Sequence, residues 1–564
     1  MPEPPRTRPL ALHLLDMCPA MPSAPSISAT LLLLATAAAC DAPLPPPPVL
    51  RVTSPARGLV QGKPGPLTVT GRALPGAPGD RVTRVVVNQV PATLAPDGSF
   101  TAVLDTPRGA LLLETVATSD NGASAVDARA VQSGELRPVG SGIDRAITAA
   151  LSADAFSRLS ATAGPVLRAM NIPAMLAPLQ PMVSAGDDLA NVNLSMTDLR
   201  FGDLTIALAP ADGGLSFSAE FDALEVTANA AYAGVFVPRG STAVNVAADQ
   251  ITIAGTLVVS PAGTAGFTTR LPAATVRTVG LRLQAPGMTG PIVALLDRTL
   301  GSMIDAMITQ TAERTLEPLV NQALGALSGP QQIDVLGHKL DLQASPSAVS
   351  FTRAGALVTM NVQARLEANA PSPGYVFTSN GVPVLDASHG FQLGLANDLV
   401  NQLLAQAHAS GLLDLGLQQD FGVFDSATFS STLPPMIASA RDGALRLVIG
   451  DLIATFSSQG KTVVKAAINA QVDLQIAPAD NAREVALQFG AVDLQINLLD
   501  DPANPDGLGG ADLSAATSAG VAVQLDSLKQ LLITLPVPSI AGIQLEHVSI
   551  GADNGYVMVS GEVH

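Results

Sequence analysis

The chain has 564 residues, of which 47% are hydrophobic, only 14% charged and 3% aromatic, and its mean hydropathy is +0.35. That length leaves room for three or four domains, each with a core of its own. A formal net charge of −17 excludes general electrostatic capture of nucleic acid, because phosphate binding relies on Lys and Arg displacing counterions, and it counts equally against capture of anionic headgroups.

Residues 1–39 read as an export signal. Ser28 to Cys40 is SATLLLLATAAAC: a core of four leucines, then small residues, then one of the two cysteines, the other being Cys18. The ending is similar to a bacterial lipobox, whose cysteine receives a diacylglyceryl group. Ala37, Ala38 and Ala39 supply the small residues that cleavage needs, although Ala37 stands where a lipobox usually has leucine. Arg6 and Arg8 form a thin basic n-region offset by Glu3 and Asp16, so Met17 or Met21 are alternative starts. A cleaved signal that leaves Cys40 as a free thiol is the other reading. With Cys40 first, the mature chain has no second cysteine and no internal disulfide. Acyl chains contribute roughly 0.8 kcal/mol per buried methylene, enough for several to anchor a protein stably. No other stretch reads as a transmembrane span.

Residues 40–48 carry the lipid anchor Cys40 and a proline-rich tether, DAPLPPPP, extended like polyproline II. Residues 49–134 are all-β in pattern, with turn signals at Pro75–Gly76, Pro78–Gly79, Asp97–Gly98 and Asn121–Gly122. Short strands at this spacing predict a β-sandwich. Its segments VVVNQVPATLAPDGSFTAVL and LLLETVATSDNGA resemble bacterial immunoglobulin-like modules, which implies a spacer or adhesion role.

From Ser141 to Met170 the apolar residues Ile143, Ile147, Leu151, Phe156, Leu159, Val166 and Leu167 predict a helix. Period two begins at Val192. Leu204, Ile206 and Leu208, then Leu215, Phe217 and Ala219, then Ile251 and Ile253 alternate with polar residues, as antiparallel strands with one buried face do. Gly290 to Leu324 returns to helical period, with Ile292, Leu296, Leu300, Met303, Met307 and Ile308 on one face. A helix of that length would run about 50 Å. Asp297, Arg298, Asp305 and Arg314 interrupt it, so it cannot span a bilayer. A second cycle of strands and helices follows from Ile333, with helices expected at Leu395 to Ala409 and Ala511 to Leu532.

Three segments carry a resemblance to a known family: the helix Gly290 to Leu324, HGFQLGLANDLVNQLLAQAHASGLLDLGL (His389 to Leu417), and LPVPSIAGIQLEHVSIGADNGYVMVSGEV (Leu535 to Val563). In order and pattern they resemble the tubular lipid-binding superfamily of the bactericidal/permeability-increasing protein type. The resemblance implies an α+β fold of two tubular lipid-binding barrels, each a curved antiparallel sheet wrapping a long helix, at 141–330 and 331–564. It also implies elongated apolar pockets for phospholipid or another acyl-chain lipid, with Ile292, Leu296, Leu300, Met303 and Met307 as lining. Two departures limit it. The disulfide of the animal relatives is absent, and the acidic chain does not match the basic tip of the lipopolysaccharide-binding relatives.

Chemistry is sparse. His13, His338, His389, His408, His547 and His564 show no paired metal-ligand spacing. No G-x-S-x-G elbow or phosphate loop occurs. The loop Asp500 to Asp512 fails calcium-loop spacing, with Pro502 at position one and Leu513 at position twelve. The expectation is therefore a non-enzymatic, exported lipid-binding or lipid-transfer protein without cofactor, metal or nucleic-acid partner. It would be tethered through Cys40 to the cell envelope, at the outer membrane or cell surface rather than the inner membrane. The rival expectation is a surface adhesion or structural lipoprotein with no lipid ligand.

Overall fold

The computed structural model describes residues 45–158, 160, 183–186, 191–235, 238–288, 329–367, 371–379, 381–388, 390–418, 420, 424–439, 445–478, 485–500, 510–533 and 545–563, together with the single helical positions Gly290, Val293, Ala294, Gly301, Asp305, Thr309 and Asn321. Strands take up 65% of the structure and helix 11%. The expected α+β fold of two barrels, each wrapping a long helix, is thereby overturned: the protein is predominantly β, and among the described residues no barrel around a long helix is seen.

Residues 49–133 form two facing sheets. One is ordered Val49–Ser54, Gly65–Leu74, Ser99–Thr106, Thr93–Leu94; the other Leu59–Gln61, Ser124–Ser133, Gly109–Ser119, Val82–Val87, Val90–Pro91. Alternation along each strand sends one face inward, so Val69, Val85, Phe100, Ala102, Leu113 and Val131 pack as a single core. At the Asp97–Gly98 turn, Gly98 takes a φ of +82°, where a side chain would be strained.

A seven-stranded sheet lies at the centre, in the order Gly329–Val335, His338–Thr352, Gly355–Leu366, Gly142–Ser152, Phe391–Ala396, Tyr556–Val563, Leu545–Asp553. Its middle strand, Gly142–Ser152, falls where the sequence predicts a helix. Arg145 sits at φ +52°, and the ladder to the neighbouring strand skips between Ile143 and Ile147. The chain bulges here, and because residues four apart share a face in a strand as in a helix, Ile143, Ile147 and Leu151 imitate helical period. Asn361 Oδ1 accepts the Arg145 N–H at 2.9 Å and Tyr556 Oη donates to the Arg145 carbonyl at 2.8 Å, so the bulge is closed by hydrogen bonds.

Helix α1, Asn397–Ala409, follows directly from that sheet and is buried on every side from Asn397 to Ala407. Leu399, Leu403 and Leu404 join Phe424, Phe429 and Phe456 in the largest core. Its polar side chains act as strand partners: Asn401 exchanges hydrogen bonds with Ile437, and Gln406 Oε1 and Nε2 pair with Leu366 N and Ala364 O at 2.8 and 3.1 Å. Asp398 Oδ1 accepts from both Thr378 N and Thr378 Oγ1 at 2.7 Å, whereas its Oδ2 and the Oε1 of Gln402, one turn on, have no donor.

Burial pushes the Asp398 carboxyl above its ordinary value of 3.8, with the Thr378 bonds opposing the shift. The unfolded chain therefore releases this proton first as pH rises. The stability contributed by the neutral acid is complete below the ordinary value and is lost as pH climbs through the folded one. Asp398→Asn keeps an acceptor for Thr378 and removes the buried titratable group. It is expected to be more stable than the wild type at neutral pH by about 1 kcal/mol, with a flatter stability–pH profile in urea unfolding. A less stable variant at neutral pH would contradict this.

The C-terminal sheet runs Leu415–Gln418, Ser426–Ser431, Leu445–Ser458, Lys461–Pro478, Val485–Asp500, with Met436–Ser439 also on Leu445–Ser458. Helix α2, Gly510–Ile533, packs against its strands. The sandwich is locked to this sheet by side chains that replace a strand. Asn497 Oδ1 and Nδ2 bond Ala128 N and Val126 O, each at 2.9 Å; Asn469 Nδ2 donates to Ala128 O at 3.1 Å; Asp451 Oδ2 accepts from Ala130 N at 3.2 Å. Strand Ser124–Ser133 thus crosses three neighbouring strands with its free edge satisfied.

Asp451 lies in a bulge at φ +45°, and a Cβ on the adjacent Gly450 would lie 2.2 Å from the Ala130 Cβ. Its carboxylate, fully buried, also pairs with Arg57 at 2.6 Å and accepts from Gly58 N at 3.1 Å. From Pro46 to His564 the chain clusters as one unit.

Candidate functional site

The eight-stranded sheet is built on one long hairpin, Gly214–Ala233 and Gly240–Pro261. Twenty residues of strand extend roughly 65 Å. Asn191–Arg200 and Leu204–Ala211 pair with its first strand; Phe267–Arg270, Ala274–Val279 and Arg282–Gln284 pair with its second; Val183–Gly186 extends the edge.

Directly paired residues share a face, so the register assembles rows. Leu204, Phe221, Ile251 and Thr278 form one; Ile206, Ala219, Ile253 and Val276 the next; Leu208, Phe217, Gly255 and Ala274 the third. Across four strands this makes a face of uncharged, mostly apolar strand residues, roughly 14 by 14 Å between outer Cα positions. Only Leu204, Phe217 and Ile251 of these large side chains are buried; Ile206, Leu208, Phe221, Ile253 and Val276 are half-buried. The opposite face is polar, with Gln250 donating to Glu220.

Beyond Phe221 the apolar parity changes from odd to even. The break falls at Ala223, whose φ is +49°, and at Asp249 opposite, a pair missing from the ladder. Past it, Val192, Leu194, Ala228, Ala230, Val244 and Val246 form a separate small core. The hairpin therefore carries two modest clusters, in contrast to the C-terminal half, where α1 fills the interior with buried side chains. A groove of about 380 Å³ lies at Ser216, Ala254, Thr256, Val258, Pro272 and Thr275. Its short side chains and openness to solvent make it a poor seat for an acyl chain.

The sequence-derived pocket residues Ile292, Leu296, Leu300, Met303 and Met307, and the anchor Cys40, lie outside the described residues. Two described positions of the 290–324 segment do reach the hairpin sheet. Asp305 Oδ1 accepts from Thr278 Oγ1 at 3.2 Å, and Asn321 Oδ1 accepts from Thr269 N at 2.7 Å. The half-buried face was visible in the sequence as period two in Leu204–Leu208, Leu215–Ala219 and Ile251–Ile253. Phe221 and Val276 were missed, the first because the alternation breaks two residues later.

Among the described residues no group of His, Cys, Asp and Glu is placed to hold a metal ion, and no helix is long and apolar enough to cross a membrane. No family model and no curated protein matches the chain. Among solved structures the chain is similar to a lipopolysaccharide binding protein, at 13% identity and a TM-score of 0.43, over 75% of this chain and 99% of that one. It is also similar to P47 of Clostridium botulinum E1, at 8% identity and a TM-score of 0.22, over 76% of this chain and 100% of that one. At these scores neither likeness adds to what the chain's own residues carry.

Proposed function

We propose that this is an exported, lipid-anchored protein that binds acyl-chain lipid without catalysis, on the apolar face of the long-hairpin sheet. One observation carries the reading: an apolar face of uncharged strand residues on which Ile206, Leu208, Phe221, Ile253 and Val276 are only half-buried, Asp305 reaching it at the Thr278 edge. A soluble fold gains stability by burying such side chains completely, so a face left half-covered suits a guest that completes the burial. Contact over the whole patch, roughly 200 Å² at about 25 cal/mol per Å², would contribute about 5 kcal/mol before the cost of immobilising the guest. The sequence resemblance to bactericidal/permeability-increasing proteins points to the same ligand class, and the acidic net charge favours recognition through the acyl chains over the phosphate.

Incubation of delipidated protein with vesicles containing a fluorescent phospholipid tests the binding: uptake into the protein fraction is expected, and its absence would refute it. The anchor is tested separately. Cys40→Ala is expected to move the protein from the membrane fraction to the soluble one, and persistent membrane association would rule out a lipid at Cys40.

A further inference from the structure

Strand Gly240–Pro261 is paired along one side by two short strands with a gap between them. Arg270 stands opposite Val258 and Ala274 opposite Gly255, so Leu271, Pro272 and Ala273 face only Thr256 and Leu257. Three residues against two make the chain bulge away from the ladder. Gly255 shares the apolar face with its partners Phe217 and Ala274. A Cβ placed on it would lie 2.8 Å from Leu271 Cδ1 and 3.0 Å from the Phe217 ring. Leu271 therefore lies on the apolar face, in the notch left by the missing side chain. It is buried with Phe217 and Leu257 in one small core, whereas Ile206, Phe221, Ile253 and Val276 on the near side are half-buried. The leucine thus walls off the row of Leu215 and Leu257 beyond it. At the opposite end the apolar rows stop at Ile251, and the strand goes on to Asp249, which is ion-paired with Arg282.

We propose that Leu271 is a chain-length stop, which limits the guest of this face to acyl chains of about 12 carbons. The proposal rests on the hairpin face as the lipid site and adds which lipids that face selects. Between the row of Ile251 and the row of Gly255 a strand advances about 14 Å. An extended acyl chain advances about 1.25 Å per carbon, as its bond length and angle dictate. The face is no longer across the strands, where Asp305 meets Thr278 at the edge. Within this span each methylene leaves water for apolar contact, which raises affinity about fourfold. A longer chain must either push Leu271 out of its notch or lie over charge and solvent. Its further methylenes then add little.

Displacement of a fluorescent phospholipid from the full-length protein by monoacylglycerols of increasing length, each below its aggregation concentration, reads the stop. In the wild type, affinity is expected to rise about fourfold per methylene up to about 12 carbons and less than about 1.5-fold per methylene beyond. Leu271→Ala opens the row of Leu215 and Leu257, about 7 Å further on, and should move the break out by about five carbons. The milder Leu271→Val, one methylene shorter, should move it by about one carbon and tests the stop even if the alanine variant does not fold. A wild-type affinity that keeps climbing about fourfold per methylene well past this length, or a break that stays put in the folded variants, would overturn the stop. Failure of every chain length to displace the probe would instead overturn the hairpin face as the lipid site, the reading on which the stop rests.

Discussion

Replacing Asp451 with alanine is expected to lower stability by about 3–5 kcal/mol, seen as a large drop in the urea midpoint. The carboxylate is fully buried, and its Arg57 partner is only 13% exposed. Removal leaves a guanidinium with a weaker share in Asp127, at 3.4 Å, and strips Gly58 N and Ala130 N of their acceptor. Each such loss acts in a water-poor contact where no solvent compensates fully. Because Asp451 closes the edge of strand Ser124–Ser133, the sandwich should also become sensitive to protease near residues 55–61. The exposed pair Arg72–Asp97, at 3.7 Å and more than half in solvent, supplies the control: Arg72→Ala should leave the midpoint close to that of the wild type. An Asp451→Ala protein with the wild-type midpoint would contradict the buried-latch account.

The second large effect concerns the ligand. Ile253→Asp places a carboxylate in the middle row of the hairpin face, beside Ala219 and Val276. Ile253 is half-buried, so the folded chain can keep the charge hydrated while the face is empty. A bound acyl chain would remove that hydration, at a cost of several kcal/mol. Lipid occupancy by native mass spectrometry is therefore expected to fall more than tenfold, with an unchanged circular dichroism spectrum. Ser216→Asp, on the polar face, should load normally. Undiminished loading of folded Ile253→Asp would remove the hairpin face as the site.

The sequence made the strands of the hairpin readable because one face of each is apolar and the other polar. Alternation at Leu204–Leu208 and Ile251–Ile253 is a local property and survives without knowledge of the partners. Helices α1 and α2 were legible for the same reason, within two residues of their observed ends. What was lost depends on contacts distant in the chain. Ile143, Ile147 and Leu151 imitate a helix because residues four apart share a face in a strand too, and Asn361 and Tyr556, which hold the bulge at Arg145, lie far off in the chain. Asn401, Gln402 and Gln406 are polar in sequence and carry no signal of burial, yet they are buried. Asp451, Asn469 and Asn497 sit in unrelated-looking strand sequences and meet only when three strands align. The long-helix barrels were inferred from a family pattern, and a β-dominated structure replaced them.

Extraction and mass spectrometry of lipid from the purified protein bears most directly on the binding proposal. A folded preparation that repeatedly carries acyl-chain lipid in near-stoichiometric amount is the predicted result. Preparations that are folded, soluble and consistently free of lipid, even after incubation with vesicles, would contradict it.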